Sequence, residues 1–196
     1  MKNYNRDAVE LRKRSAAAGR KWAIFGDEQP PDSVGVMPDA NDPEHNEPRT
    51  QALWGNLMGG GSGVEWYFGY KFPNMDINCE DFRSRDKMWD QTRYALEFFQ
   101  KYVPFEEMEP DNSRVSGVAS GWALAKADDV ILVYLPEGGA TAQVRLGAGA
   151  YTVSWYNPRA GGPLVKGAAL QGPGVKAIGP PPLDAAGDWA ALIRKR

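Results

Sequence analysis

The sequence is poorest in the residues that most often announce chemistry, with one cysteine, Cys79, and one histidine, His45, among 196 positions. A lone cysteine excludes an internal disulfide and a cysteine-based zinc site. Excess charge is also missing: 23 basic and 25 acidic residues leave a net charge of −2, with a pI near 5.5. That balance gives no electrostatic support to a nucleic-acid partner or an anionic membrane surface. No apolar run approaches the roughly 18 residues of a membrane helix. The N-terminal stretch MKNYNRDAVELRKR is charged and lacks the apolar core of a secretion signal. With Met1 as the start, the expected location is the cytoplasm. Aromatics are not scarce: seven tryptophans and a hydrophobic fraction of 42% suffice for real cores and exclude global disorder. The length suits one large domain or two small ones.

Periodicity organises the first half. Residues 6–18 are alanine-rich and read as a helix, with Asn5 as N-cap and Gly19 just past its end. Trp22–Phe25 (WAIF) is a short apolar run consistent with a buried strand. Asp27 and Glu28 follow, then a polar segment over 29–47. Pro48 opens a short helix to 58, with Leu53, Trp54, Leu57 and Met58 at helical spacing. Gly59, Gly60 and Gly61 stop it through left-handed backbone, and 63–68 is β-branched and aromatic, as a strand requires. The segment 83–103 is the strongest helix, with Met88, Thr92, Ala95, Leu96, Phe99, Tyr102 and Val103 on one face.

The order is helix, strand, helix, strand, helix. Helix-to-strand connections are short and strand-to-helix connections are long and polar. In α/β folds chemistry is built on loops leaving the C-terminal ends of strands, which puts Glu28 and the segment after Tyr67 on the functional face. From 121 onward the texture changes to short strand-like runs at 121–127, 130–135, 142–146, 151–156, 175–178 and 188–193. That spacing predicts an antiparallel sandwich or barrel.

Three runs, GDEQ, HNEPRTQALWGNLMGGGSGVEWYFGY and EDFRSRDKMWDQTRYALEFF, resemble the last part of the TIM barrel of apiosidase-like glycoside-hydrolase-like proteins. ALAKADDVILVYLPEGG, AQVRL, YTVSWYNPRAGG and DWAALI resemble the small β domain, of a type labelled collagen-binding, that follows such barrels. The resemblance implies that 22–25 and 64–68 are the seventh and eighth barrel strands, and that the first six are not in this sequence. The expected fold is therefore α/β plus all-β. The last two βα units of a TIM barrel (1–109) precede a small antiparallel β-sandwich (110–196).

The same resemblance makes Glu28, at the end of the seventh strand, the candidate nucleophile of a glycosidase, with Asp27 as its less favoured neighbour. Retaining glycosidases set such a carboxylate about 5 Å from a second carboxyl. Glu65 lies between Val64 and Trp66, where a carboxylate is costly to bury alone. It is either a site residue or an ion-pair partner of Arg83 or Arg85. His45 and Asn46 are candidates for binding a sugar, against the alternative of a solvated loop. Trp66, Tyr67 and Tyr70 are candidate stacking residues, and Trp66 and Tyr67 must face opposite sides of a strand. Trp54 reads as core. Among the β-domain aromatics Trp122, Trp155, Tyr156 and Trp189 offer rings for carbohydrate, but aromatics at alternating strand positions are usually core; Tyr156, which opposes the Val153/Trp155 face, is the exception to test.

The acidic residues around His45 lack the spacing of a calcium loop, and GGGSG runs into a strand rather than into a helix, so neither a metal nor a phosphate site follows. No cofactor is implied. The expected partners are a carbohydrate substrate and either the missing barrel or a second copy at the exposed edges. The expected function is the C-terminal fragment of a glycoside hydrolase acting on O-glycosidic bonds, inactive alone because the general acid belongs to an earlier strand. Full-length proteins of the type are extracytoplasmic. The alternative is a non-catalytic binding or spacer module carried by the β domain.

Overall fold

Helical and strand periodicities resolve into defined elements in the computed structural model, which describes residues 3–196. Met1 and Lys2, which begin the charged N-terminal stretch, lie outside the described residues. The chain divides into two units, Met1–Arg93 and Tyr94–Arg196.

In the first unit, helix α1 (Tyr4–Ala17) is capped by Asn3, whose side-chain oxygen accepts from the Arg6 N–H at 2.9 Å. Asn5, the expected cap, instead lies inside the first turn, buried, and donates to the Gly55 carbonyl at 3.2 Å. Strand β1 (Phe25–Gly26) is short. A π-helical turn, Pro48–Trp54, leads into α2 (Gly55–Met58), and strand β2 (Gly63–Val64) then pairs with β1 in parallel. A parallel pair needs such a crossover between its strands. Trp54 and Met58 are fully buried, as their spacing predicts. The run 22–25 differs from expectation: only Ile24 is buried, whereas Trp22 and Phe25 are 60% and 58% exposed.

The glycine turn works through space more than through backbone handedness. Only Gly60, at φ 75°, takes the left-handed conformation among the three. A Cβ on Gly59 would stand 2.7 Å from the Ala8 side chain, and one on Gly61 2.2 Å from that of Asn56. Glycine here lets α1 and the Asn56 amide come close to the turn.

Helix α3 (Asp86–Tyr102) follows a 3₁₀ turn over Phe82–Arg85. Met88, Gln91, Ala95, Phe98 and Phe99 are its buried residues, whereas Leu96 is 56% exposed. At 3.6 residues per turn Leu96 lies about 80° from Met88, on the far side of the stripe from Gln91 and Phe98. Among the described residues no helix is long and apolar enough to cross a membrane.

The second unit carries β3 (Glu109–Pro110), β4 (Val115–Ser116), β5 (Trp122–Lys126), β6 (Val130–Leu135), β7 (Gln143–Tyr156), β8 (Val165–Ala177) and β9 (Trp189–Lys195). The runs expected at 142–146 and 151–156 are one strand, because the chain between them continues through a bulge instead of turning. A single seven-stranded antiparallel sheet takes the place of the two facing sheets of a sandwich. Strand β7 holds β8 along one edge and β9 and β4 along the other. Its register shifts at Leu146/Gly149 and Thr152/Ser154 add local twist, and the sheet curls as a half-barrel. Inside the curl lie Ile131, Val133, Val153, Trp155, Trp189 and Ile193. The opposite face is buried too. Tyr156 stacks on Phe98 at 4.4 Å and donates its hydroxyl to the Tyr94 carbonyl at 2.7 Å, so it presents no open platform.

The WYNPRAGG and DW motifs meet in this unit as a structural clasp. Asn157 accepts from the Arg159 N–H at 3.0 Å, and the Arg159 guanidinium pairs with Asp184. The guanidinium also stands 3.6 Å from buried Asp188, whose other oxygen accepts from the Tyr134 hydroxyl at 2.7 Å.

Candidate functional site

The two short parallel strands end on the same side, and the residues that follow them form the candidate site. The Gly26 carbonyl accepts from the Glu65 N–H at 2.9 Å, which sets Asp27 opposite Glu65 on the neighbouring chain segment. Adjacent strands run about 4.8 Å apart. Asp27, Glu28 and Glu65 are all exposed. Beneath them Gly26 packs on the Tyr4 ring, where a Cβ would stand 2.9 Å away.

Glu28 has φ 44°, a left-handed conformation that is unusual for a residue with a Cβ. Such positions cluster at functional sites because the surrounding structure must hold them. The holding group is Gln29, buried between the strand ends. Its amide nitrogen donates to the Glu65 carbonyl at 2.7 Å, and its oxygen accepts from the Tyr67 N–H at 2.9 Å. A side chain thus continues the ladder where the backbone of β1 has turned away. Gln29 was not singled out by residue type; the one signal was an amide placed directly after the acidic pair.

Glu65 forms neither of the ion pairs offered for it. Arg83 lies beside Asp86 at 3.4 Å, and Arg85 is turned to the Val36 and Asn74 carbonyls. Trp66 and Tyr67 do face opposite ways. Half-buried Trp66 donates to the Thr92 hydroxyl at 3.0 Å and packs against Val36, Phe68 and Met88. Tyr67 donates its hydroxyl to the Asp32 carbonyl and meets Tyr70 edge-on at 6.0 Å between ring centroids. Tyr70 is 57% exposed, which leaves its ring surface open at the rim.

Desolvation pushes the Tyr67 phenol up to about 12, with the Tyr70 hydroxyl next in effect and the charges of Asp76 and Glu28 adding to it. Burial, then Glu47 and Asp27, push the Tyr4 phenol to about 12 as well. A phenol whose folded pKa is raised favours the folded state fully below the unfolded value near 10. That contribution is lost as pH rises from about 10 to about 12. Ultraviolet phenolate titration is therefore expected to show the Tyr4 and Tyr67 phenols ionising near pH 12. Tyr4→Phe and Tyr67→Phe should each remove one, and titration of every tyrosine near pH 10 would contradict this environment.

His45 is fully buried rather than solvated, at φ 45°. Its Nε2 lies 2.6 Å from an Asp39 oxygen and its Nδ1 3.8 Å from Asp42. The other Asp39 oxygen accepts from the Lys87 N–H at 3.0 Å, tying the histidine loop to the first turn of α3. With no ring surface exposed, His45 holds the loop and does not face an external ligand in this conformation. Exposed Asn46 accepts from the Arg49 guanidinium at 2.7 Å. Among the described residues no cluster of His, Cys, Asp or Glu is arranged to hold a metal ion.

Two glycines let the loops after β1 and β2 touch. Gly35 (φ 57°) lies against the Tyr67 carbonyl and Gly69 (φ 65°) against Val34. The Val36 N–H donates to the Tyr67 carbonyl at 2.7 Å and the Tyr70 N–H to Ser33 at 3.0 Å. The site is therefore a rim of three carboxylates beside a tyrosine pair, on loops braced by backbone bonds. Carboxylates in such a setting serve as nucleophiles or as general acids and bases.

The whole chain superposes on part of larger solved structures. One, described as a glycoside hydrolase, is 16% identical, with a TM-score of 0.67 over 100% of this chain and 47% of the other. A glycoside hydrolase family 5 protein from Bacteroides vulgatus is 15% identical, with a TM-score of 0.70 over 100% of this chain and 46% of the other. The chain thus spans about half the length of these structures, and the likeness is one of fold. No family model matches the chain, and no curated protein matches it at a significant level.

Proposed function

We propose that this chain is the C-terminal part of a glycoside-hydrolase-like protein acting on O-glycosidic bonds of oligo- or polysaccharides. Residues 1–109 would supply the end of a TIM barrel of the apiosidase-like type, and 110–196 its appended β domain. The observation that carries this reading is the set Asp27, Glu28 and Glu65 at the C-terminal ends of a parallel strand pair. The likeness in fold to half of two glycoside hydrolases supports it. Glu28 would be the nucleophile, with Tyr67 and Tyr70 bordering the sugar. The acid–base carboxyl would come from a barrel strand outside these 196 residues, so the chain alone is expected to be inactive.

An aryl-glycoside assay of the purified 196-residue protein tests this. No turnover above background is expected from the wild type or from Glu28→Gln. Turnover that Glu28→Gln abolishes would show that the chain holds a complete site and overturn the inactive reading.

For the β domain, a spacer role is favoured over carbohydrate binding by one observation. Trp155, Tyr156 and Trp189 are each at most 2% exposed, so their rings are committed to packing.

A further inference from the structure

Beside the strand ends, within the first unit, lies a cleft of about 80 Å³. Tyr4, Gln29, Asp42, Glu47 and Gln51 supply its polar lining, and side chains such as Met37 and Pro48 its apolar walls. No lysine, arginine or histidine lines it among the described residues. Tyr4 is only 9% exposed, and its buried hydroxyl meets no hydrogen-bonding group among the described residues. A buried hydroxyl left unpaired is destabilising, so its retention points to a group that meets it. Asp42 uses one oxygen on the His45 N–H and keeps the other 3.8 Å from the His45 ring.

We propose that this cleft binds a small organic cation, an alkylammonium carried either on a free amine or on a lysine side chain. Two carboxylates and no cation line the cleft, so its charge favours a cation over a neutral sugar. An ammonium has three donors and no acceptor, which suits two carboxylates and a phenol oxygen. The apolar walls fit the alkyl stem. At the roughly 30 Å³ a water takes in the liquid, the volume corresponds to about two or three waters, or a short alkylammonium in their place. Burial raises the Tyr4 phenol pKa most, and the charge of Glu47 adds to it. The cleft adjoins the strand ends, since Gln29 belongs to both, but its two carboxylates are not those at the strand ends and cation binding there does not depend on the glycosidase reading.

Calorimetric titration of the full chain with n-butylammonium chloride tests the proposal, with n-butanol as the neutral isostere and Nα-acetyl-lysinamide as the side-chain probe. Saturable binding of butylammonium in the millimolar range is expected, with no binding of butanol. Glu47→Gln, a change at an exposed position, and Tyr4→Phe should each weaken binding about tenfold. Thermal unfolding of both variants would check that they remain folded. Binding of the lysine probe would assign the site to a side chain, and binding of butylammonium alone to a free amine. Equal binding of butanol, no binding of either cation, or undiminished affinity in folded Glu47→Gln would overturn it.

Discussion

Replacing Arg85 with alanine is expected to lower stability by about 3–5 kcal/mol, a large share of the roughly 5–15 kcal/mol that holds a typical domain folded. Arg85 is fully buried and joins three segments. Its Nε donates to the Val36 carbonyl at 2.7 Å, and its Nη1 donates to the Asn74 carbonyl at 3.0 Å and the Ser84 hydroxyl at 2.9 Å. The guanidinium also lies 4.2 Å from the centre of the Phe68 ring. Alanine would leave two carbonyls unmet at about 1–3 kcal/mol each and remove a cation–π contact of about 0.5–2 kcal/mol. Lysine should rescue little, because a single ammonium cannot reproduce the planar fork that reaches both carbonyls. Arg83→Ala is the control, since Arg83 is exposed and only 3.4 Å from Asp86, a geometry worth under about 1 kcal/mol. Urea unfolding of the three variants gives the comparison. An Arg85→Ala midpoint equal to that of the wild type would show that the loops around the candidate site are held otherwise.

The second large effect belongs to the β unit. Trp189→Ala should cost about 3–5 kcal/mol, the usual range for truncating a buried aromatic. Trp189 is 1% exposed and meets Trp155 edge-on at 6.3 Å. Its indole N–H donates to the Asp184 carbonyl at 3.0 Å, and the Arg159 guanidinium stands 5.5 Å from its ring. Losing the ring therefore opens a cavity and loosens the Arg159 clasp together. Trp22→Ala, at a 60% exposed position, should stay within about 0.5 kcal/mol. Similar unfolding midpoints for the two variants would contradict this division between core and surface.

What could be read from the sequence follows from how local each signal is. Strand 130–135 and the long helix from Asp86 were legible because a short continuous apolar run and the 3.6-residue stripe are written in consecutive residues. The acidic residues after β1 were legible as candidates because loop asymmetry alone marks the functional face. Burial of His45 was not, because it depends on Asp39, Asp42 and the first turn of α3 closing around a polar loop. The strands around the site were read too long because Gln29 and the turns at Ser33 and Val36 take over hydrogen bonds that a ladder would have made. Tyr156 faced the side opposite Trp155 as alternation required, but no pattern within the strand says that Phe98 covers that side.

The proposed function places sugar at the C-terminal ends of β1 and β2. Amide chemical-shift mapping of the full chain during titration with a panel of plant and bacterial oligosaccharides tests it most directly. Concentration-dependent shifts are expected at Asp27, Glu28, Glu65 and Tyr67, weakened in Glu28→Gln, and none across residues 110–196. Shifts confined to the β unit, or no shifts with any sugar in the panel, would contradict it.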